Sequence, residues 1–553
     1  MVSLIKKSTS FLFSEQTSIL SAATLIGFFS VISAILGIVY KRILISVFSG
    51  ESRPLLDSFF AAFRIPDFLY QLLVVGVLSA TFIPVYTRLL NEDEARHRFV
   101  QTLMTMLSVI YTVFAVIAAI FAVPLIRSFT GKEFGADQVY LAANLMRIML
   151  AAQFFFLLSN FLSGILQSNK SFLLPSLSPI LYNIGIIVGT VLFAPTIGIY
   201  APALGVVLGA LVHFAIQLPF ARRYGFRFAI RFDWSDFHVK EVFRLMIPRG
   251  ATQTTNSLED FVGVYIATSF GNTLLTSITY AQSLIAAPIR FFGVSIAQAA
   301  LPFLSSEAKD HDIRGFVQLL IKTLHQIAFF MYPAGALLLV LRIPIVRLAF
   351  GAKEFPWKDT VLLGQLVAIY AIAVGAVAMI HVLLRAFYAL KETKVPFVIA
   401  LVSMGINIWT MWLGAYYLNW GVHAVPMGFV IASFAEVFLL LVTLFYRLHT
   451  FYWKAFFVPQ AKLALASFLT GSTLYIVMKL LDQLVFDTTR VLGLIALTGF
   501  AALAGGFVYL VFCLLLSVEQ LSILVSIHGK LRGWTNKLSR TEEVMTVTEE
   551  IQL

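Results

Sequence analysis

Residues 59–84 read FFAAFRIPDFLYQLLVVGVLSATFIP, and this stretch decides the fold class of the chain. Arg64 and Asp67 are its only charged residues. A helix needs about 20 mostly apolar residues to cross the hydrocarbon of a bilayer, and in that medium only helices and closed barrels satisfy their own backbone hydrogen bonds. The stretch lacks the apolar/polar alternation of a membrane β-strand. It therefore predicts a transmembrane helix.

The rest of the chain follows the same pattern. Of its 553 residues, 59% are hydrophobic and 12% are charged, with a mean hydropathy of +0.89, whereas a soluble domain has about 25% charged residues. We predict an all-α polytopic membrane protein of about fourteen transmembrane helices. The expected spans are 19–41, 57–90, 99–128, 137–168, 172–194, 198–220, 240–270, 274–306, 314–348, 358–390, 394–418, 422–446, 459–481 and 490–527.

The basic residues predict an orientation rather than a nucleic-acid partner. The net charge is +12, and in membrane proteins excess Lys and Arg lie mostly in cytoplasmic loops. If the N-terminus is inside, the inside connections and the two termini together hold more than twice as many Lys and Arg as the outside connections, and the segment 221–239 is the most basic linker. We expect both termini to be cytoplasmic, in the inner membrane of a bacterium, and no binding of nucleic acid.

An internal repeat divides the chain into two halves at an offset of about 220 residues. Six spans lie in each half, so the second copy starts on the same side of the membrane as the first, as expected for parallel repeats of a carrier. Spans thirteen and fourteen lie outside the repeat. The matching segments are Gly76–Pro84 with Gly293–Pro302, Pro124–Arg127 with Pro344–Arg347, Lys132–Phe134 with Lys353–Phe355, and Lys170 and Pro175 with Lys391 and Pro396.

These observations predict two parallel six-helix lobes followed by two extra C-terminal helices. The site of an alternating-access carrier would lie between such lobes. The expected divisions are an N-terminal segment 1–18, an N-lobe 19–222, a basic linker 223–239, a C-lobe 240–450, the last two spans 451–527 and a cytoplasmic tail 528–553.

The repeat landmarks resemble the MurJ (MviN) lipid II flippase family over about residues 18–450. Four segments carry the likeness: Phe59–Pro84, Gly164–Asn183, Gly293–Pro302 and Arg385–Pro396. The resemblance implies the fold of the multidrug/oligosaccharidyl-lipid/polysaccharide exporter superfamily, and transport of a lipid-linked peptidoglycan precursor to the outer leaflet for cell-wall synthesis. It also implies a groove for the lipid tail beside the two extra helices. As partners it implies a lipid-linked sugar diphosphate, the bilayer and other proteins of cell-wall synthesis.

The chain departs from the family at arginines thought to hold the substrate's pyrophosphate. In the first span Ala34 and Tyr40 stand where the family has arginines, and Lys41 and Arg42 follow directly. In the second span many members have an arginine at a position where this chain has Tyr70 or Gln71. In the eighth, the family's Asp-Arg pair is Gln282-Ser283. These changes favour either a divergent flippase or a flippase for another undecaprenyl-diphosphate-linked glycan, with a related cation-coupled exporter as a further alternative.

Four arginines are candidate cavity cations for a diphosphate, since Arg donates to phosphate bidentately and an intramembrane charge marks a functional site by default. Arg64 either faces the cavity, oriented by Asp67, or pairs with Asp67 at i,i+3. Arg290 lies about two helical turns after Ser283 and can present a cation on the same face. Arg249 reaches the cavity or extends to the interface. Arg385 matches a family turn.

Carboxylates within the spans are candidates for a coupling ion or for ion pairs. Glu259 and Asp260 point about 100° apart on one helix, so both cannot face one site equally. One of them could bind a coupling cation or proton while the other pairs with an arginine, or both could form structural pairs. A sodium site known in the family is suggested here by Asp260 and Asn407.

The sequence contains no other recognisable cofactor site. None of the nine His is spaced as HxxxH or HExxH, and no Gly-rich phosphate loop is present. We therefore expect no bound metal and no cofactor, with Na⁺ or H⁺ as the coupling cation. A membrane enzyme acting on the same lipid would need catalytic acids on a sizeable loop. The expected outside loops are short, so a transporter without covalent chemistry is favoured.

Overall fold

The structure is a computed structural model that describes residues 19–75, 81–309, 312–351, 355–448, 453–484 and 490–521. Within these ranges the side chains of 19–26, 74–75, 245, 247–254, 256 and 484 are not described. The expected segment 1–18 and tail 528–553 lie outside the described residues. The described part contains helices and no strand, which confirms the predicted fold class.

The first half of the chain contains eleven α-helices and one π-helical segment in the described ranges. They are α1 (Ile19–Val47), α2 (Pro54–Ala62), α3 (Arg64–Tyr70), π1 (Gln71–Val75), α4 (Ile83–Arg88), α5 (Asp93–Ile120), α6 (Ala122–Ser128), α7 (Ala136–Ser168), α8 (Leu173–Ile197), α9 (Tyr200–Arg223), α10 (Phe237–Ser269) and α11 (Leu274–Pro288).

The second half is also helical. Short 3₁₀ turns lie at Gly50–Ser52 in the first half and at Gly421–His423 in the second. Its elements are π2 (Ile289–Val294), α12 (Ser295–Lys309), α13 (Ile313–Val340), α14 (Arg342–Phe350), α15 (Trp357–Ala389), α16 (Lys394–Tyr416), α17 (Ala424–Leu448), α18 (Trp453–Leu484) and α19 (Val491–Leu515).

Twelve helical segments in the described ranges are long and apolar enough to cross a membrane. The two other predicted spans are helical as well. Span 57–90 is interrupted, and α2 ends at Ala62. The reason is Pro66, which has no backbone N–H to donate to the carbonyl of Ala62 four residues earlier. Span 240–270 falls within the continuous helix α10, which is more polar and carries Glu259 and Asp260.

The chain forms two compact units. The first comprises Met1–Ala287, Ile343–Ala373 and Thr393–Leu439, and the second comprises Pro288–Arg342, Val374–Glu392 and Leu440–Leu553. The lobe boundaries expected from the repeat stay predictions.

The two halves of the repeat share a backbone irregularity. Segment π1 is described as far as Val75, the residue before Gly76 in sequence, and π2 contains Gly293, the matching glycine of the second half. A Cβ on Gly293 would lie 2.9 Å from the Cβ of Ala378, so the glycine lets the helix pass close to α15. π-helical turns inside α-helices are rare and often lie at functional sites.

The repeated turns at Lys170 and Lys391 also have the same backbone. Each lysine has a φ of 58°, in the left-handed region that ends many helices. In both turns the next residue donates to a carbonyl five residues back, Ser171 to Leu166 and Glu392 to Phe387, each at 2.9 Å. The sequence repeat is therefore a repeat of local structure.

Helices α8 and α9 pack through glycines on both sides. A Cβ on Gly189 would lie 2.4 Å from the Cα of Gly205, and one on Gly185 would lie 2.5 Å from the Cα of Gly209. Small residues spaced four apart let membrane helices approach closely, and dispersion contacts then replace the hydrophobic force that lipid does not supply.

We expect Gly189→Ala to destabilise the protein by about 1–3 kcal/mol, because the new methyl group forces α8 and α9 apart. Gly499→Ala is the matched control, since no atom lies within 4 Å of that Cβ, and it should be neutral or stabilising by up to about 1 kcal/mol. Thermal unfolding of the purified protein in detergent compares the two. Equal melting temperatures would contradict the close packing.

Candidate functional site

A polar cavity of about 230 Å³ lies within the first unit. It collects side chains from six helices, and its apolar wall comes mainly from α11, α16 and α17. The lining residues are Arg64 of α3; Glu259, Asp260, Gly263 and Val264 of α10; Leu275, Ile278 and Gln282 of α11; Tyr370 of α15; Asn407 and Met411 of α16; and Val425 and Phe429 of α17.

Arg64 forms an ion pair across the cavity. Its Nη1 lies 3.3 Å from Oδ2 of Asp260, and the two side chains are 19% and 48% exposed. The Nε of Arg64 is buried and has no hydrogen-bond partner among the described residues. The ion pair with Asp67 at i,i+3, one of the two alternatives for Arg64, is not the one observed. Arg64 pairs with Asp260 of α10 instead and keeps an unused guanidinium donor beside the cavity.

Asp67 is held by a different helix. Gln153 of α7 donates from Nε2 to Oδ1 of Asp67 at 2.9 Å. The carboxylate also interacts electrostatically with Arg64 and Asp260. Asp67 is therefore the second acidic neighbour of Arg64, and Gln153 fixes its position.

Glu259 and Asn407 form the other polar contact of the cavity. Asn407 donates from Nδ2 to Oε2 of Glu259 at 2.8 Å. The asparagine is 4% exposed, and its Oδ1 has no hydrogen-bond partner among the described residues. Glu436 interacts electrostatically with Glu259. A carboxylate beside an unsatisfied amide oxygen is the kind of oxygen set that binds a hard cation.

The structure thus divides the adjacent carboxylates of α10 between two partners. Asp260 faces Arg64, and Glu259 faces Asn407. The two side chains diverge as helical geometry requires. The sodium site suggested by Asp260 and Asn407 stays a prediction. In the structure the side-chain amide of Asn407 donates to Glu259.

Gln282 lines the cavity at the position of the family's acidic residue in span eight. Its Nε2 donates to the hydroxyl of Tyr370 at 3.4 Å. Tyr370 and Gln153 are site residues that the sequence reasoning missed. A glutamine and a tyrosine within apolar spans were a weak signal, because their partners are far apart in the chain.

The other candidate arginines lie outside this cavity's lining. Arg290 belongs to π2 of the second unit and is exposed. Arg385 lies in the part of α15 that belongs to the second unit, with its guanidinium 5.8 Å from the ring centre of Tyr388. The side chain of Arg249 lies outside the described residues. Substrate binding by these three residues stays a prediction.

Charged groups seal one end of the first unit. Arg53 and Asp359 form an ion pair whose side chains are 9% and 18% exposed, and the guanidinium stacks over Phe355. Oδ1 of Asp57 accepts from the backbone N–H of Thr276, 2.8 Å away, and so caps the first turn of α11. Sequence reasoning had not singled out these residues.

The cations that follow the altered first-span motif belong to the same seal. Arg42 donates from Nη1 to the carbonyl of Leu348 at 2.7 Å. The hydroxyl of Tyr280 donates to the carbonyl of Lys41 at 3.0 Å. Helix ends from α1, α2, α11, α14 and α15 are thereby joined. We name this set of contacts, made by Lys41, Arg42, Arg53, Asp57, Thr276, Tyr280 and Asp359, the polar seal.

The second unit contains an apolar groove of about 300 Å³. It is bounded by α13, α18 and α19, and therefore by both helices that follow the repeat. Tyr509 closes its floor by donating to the carbonyl of Phe329 at 2.8 Å. The other lining residues are Phe330, Pro333, Ala334, Leu337, Thr470, Leu474, Ala502, Gly505, Gly506 and Leu510.

Comparison with known proteins identifies relatives over most of the chain. The family model "Lipid II flippase MurJ" matches residues 45–494. The probable lipid II flippase MurJ of Bdellovibrio bacteriovorus is 26% identical over 434 residues, covering 77% of this chain and 82% of the relative. That of Thermotoga maritima is 27% identical over 497 residues, covering 88% of this chain and 95% of the relative.

A solved structure has the same fold. It is titled "Lipid II flippase MurJ, inward closed conformation" and matches with a TM-score of 0.74 at 23% identity. The match covers 88% of this chain and 98% of that chain.

We expect Asp57→Ala to lower the stability by about 1–3 kcal/mol, because a buried N–H at the start of α11 loses its acceptor. Asp57→Asn is the matched variant, since it keeps the accepting oxygen, and it should lose less. Thermal unfolding in detergent measures both. If the alanine variant melts with the asparagine variant or above it, the capping role of Asp57 is wrong.

Proposed function

Because the chain belongs to the lipid II flippase MurJ family, as its family-model match over residues 45–494 shows, we propose that it moves lipid II from the inner to the outer leaflet of the bacterial cytoplasmic membrane. That family match is the observation that carries the proposal. The described helices that can span a membrane are consistent with it. The proposed activity is transport without covalent chemistry, and it supplies cell-wall synthesis with its lipid-linked precursor.

Arg64 is the proposed contact for the diphosphate. Moving a diphosphate through hydrocarbon requires a cation in a wet cavity, and Arg64 lines the cavity with an unused guanidinium donor. In the structure Asp260 compensates its charge. An arriving diphosphate would compete with Asp260 for the guanidinium, so binding would release the carboxylate. Arg290, Arg249 and Arg385 are proposed as further cations on the substrate's route.

The polar seal is the proposed closed gate of an alternating-access cycle. It joins the ends of five helices at one end of the first unit through ion pairs and caps. Removing one partner of a buried ion pair strongly destabilises a protein, because the remaining charge is left uncompensated. In the proposed cycle the seal opens and the substrate's headgroup leaves toward that side. The apolar groove of the second unit is the proposed place for the lipid tail.

A coupling cation is proposed at Glu259 and Asn407. The carboxylate and the unsatisfied Oδ1 of Asn407 offer oxygen ligands to Na⁺, and protonation of Glu259 is the alternative means of coupling. Glu259 shares α10 with Asp260, the partner of Arg64. Cation binding and diphosphate binding would then act on the same helix.

A second candidate function rests on the charge of the cavity. Among the described residues, two carboxylates, Glu259 and Asp260, and one cation, Arg64, line it, and Gln282 and Ser283 replace the family's charged pair. This balance fits a flippase for another undecaprenyl-diphosphate-linked glycan, or an exporter driven by cations. Substrate choice distinguishes these functions from lipid II transport.

We expect the chain to restore growth of a bacterium depleted of its own lipid II flippase. Arg64→Ala should abolish the rescue with expression intact, because a neutral side chain cannot compensate the diphosphate. Arg64→Lys is the matched control, which keeps the charge without the planar fork, and should rescue in part. Failure of the wild type, with membrane expression confirmed, would shift the assignment to another lipid-linked glycan.

We expect Na⁺ to raise the melting temperature of the purified protein relative to K⁺ at equal ionic strength, since a ligand that binds the folded state stabilises it. Glu259→Gln and Asn407→Ala should remove this shift. Glu51→Gln, at an exposed position, should keep it. An unchanged shift in both cavity variants would exclude this cation site.

We expect Ser235→Cys to be protected from an impermeant thiol reagent in intact cells and Lys132→Cys to react, since the proposed orientation places the linker inside. Both positions are exposed, and Cys513→Ala provides the background, because Cys513 is the single cysteine of the chain. The reverse labelling pattern would invert the proposed orientation.

A further inference from the structure

The linker between α9 and α10 lies against α5 as an extended chain. Gln101 of α5 donates from Nε2 to the carbonyl of Arg227 at 3.0 Å. One turn further along the helix, Oγ1 of Thr105 accepts from the backbone N–H of Arg231 at 3.2 Å. These contacts fix the direction of residues 227–231, which follow α5 away from the helix's charged N-terminal turn. Asp233, Ser235 and Asp236 lie beside that turn again.

The contacts also fix the depth of the linker in the membrane. The apolar part of α5 begins at Phe99, and Thr105 lies about 9 Å further along the helix axis. An interfacial segment typically sinks roughly 5–10 Å into the boundary between headgroups and acyl chains. The linker therefore lies at the level of that boundary.

The linker presents a row of exposed apolar side chains. Phe228, Ile230, Phe232 and Trp234 alternate with other residues, and every one is more than half exposed, with Ile230 at 80%. In the extended part of the linker such alternation places Phe228, Ile230 and Phe232 on one face, and Trp234 lies in the turn that follows. A contiguous exposed apolar surface marks a contact with a partner or a membrane, and aromatic residues favour the membrane interface.

A groove of about 400 Å³ lies between this row and the helices, within the usual range of roughly 300–1,000 Å³ for ligand sites. Phe228 and Ile230 form one rim. Val109 and Val113 of α5, both exposed, form the other. Its remaining wall is made by Gln101, Met104, Thr105, Ser108, Thr112, Phe154, Leu158, Phe226, Arg227 and Ala229.

Cations flank the groove. Arg222, Arg227 and Arg231 are exposed, and the acidic residues that follow them in sequence are Asp233 and Asp236. Basic groups at the cytoplasmic surface attract anionic lipids, and long Arg side chains can keep their charge at headgroup level while their stems lie on apolar surface.

We propose that this groove binds an anionic phospholipid of the cytoplasmic leaflet, with an acyl chain along Phe228, Ile230, Val109 and Val113 and the headgroup phosphate at Arg227 and Arg231. The site lies on the linker and α5, apart from the polar cavity. The proposal rests on the orientation proposed above for the linker, and it is independent of which substrate is transported.

Tryptophan quenching tests the proposal. The full-length Phe228→Trp variant in detergent is titrated with phosphatidylglycerol or phosphatidylcholine carrying the same brominated acyl chains, and the fluorescence of the wild type is subtracted. We expect quenching by both lipids, with half-saturation at an about tenfold lower concentration of phosphatidylglycerol. Added NaCl should weaken that preference, because salt screens exposed charges.

Substitution of the arginines separates headgroup recognition from apolar contact. In the probe variant, Arg227→Gln with Arg231→Gln should abolish the preference for phosphatidylglycerol while quenching persists. Arg314→Gln, at an exposed arginine on α13, should retain the preference. Equal quenching by the two lipids in the unsubstituted probe variant, or a preference that survives the double substitution, would overturn the proposal, as would a lack of quenching.

This result is distinguishable from that of the flippase test. Quenching measures lipid binding at the linker in purified protein, whereas growth rescue measures transport. If the chain fails to rescue growth but prefers phosphatidylglycerol, the proposed substrate is wrong and the proposed lipid site stands. If the chain rescues growth without this preference, the proposed substrate stands and the proposed lipid site is wrong.

Discussion

A charge within an apolar helix must be compensated inside the protein, and much of the first unit depends on this constraint. An unpaired charge at mid-bilayer is costly, so intramembrane ionisable groups face the protein interior and pair there. Arg64 with Asp260 is such a solution within the helices. Arg53 with Asp359, and Asp57 at the start of α11, compensate buried charges at the helix ends. They join helices that are far apart in sequence. Compensation of charge therefore determines which helices meet around the cavity and at the polar seal.

The pairs differ in how fully their hydrogen bonding is satisfied. The ion pair of the polar seal is largely buried. In the cavity, Asp260 is half exposed, Arg64 keeps an unused donor and Asn407 keeps an unused acceptor. Buried polar groups without partners are costly in a folded protein. We propose that a ligand completes the hydrogen bonding of Arg64 and Asn407 in this cavity.

Sequence reasoning predicted the helices well and their partners poorly. Length and hydropathy locate spans because the bilayer imposes both, and the turns at Lys170 and Lys391 follow from local backbone chemistry. The partner of Arg64 could not be found in this way. Proximity in sequence favoured Asp67, whereas the structure uses Asp260 of α10, and no pattern within one helix encodes a contact with another. Gln153 and Tyr370 were missed for the same reason.

The matching π segments bear on the origin of the chain. A π turn accommodates more residues than an α turn, so it rotates the part of the helix that follows relative to the part before it. Segments π1 and π2 lie at corresponding places in the two halves. Gly76 follows π1 in sequence, and the matching Gly293 lies within π2. A defect shared by both copies is most simply explained by inheritance from one ancestral half, before gene duplication produced the present pair. The rotation was then already part of a smaller protein, one that would have worked as a symmetric dimer.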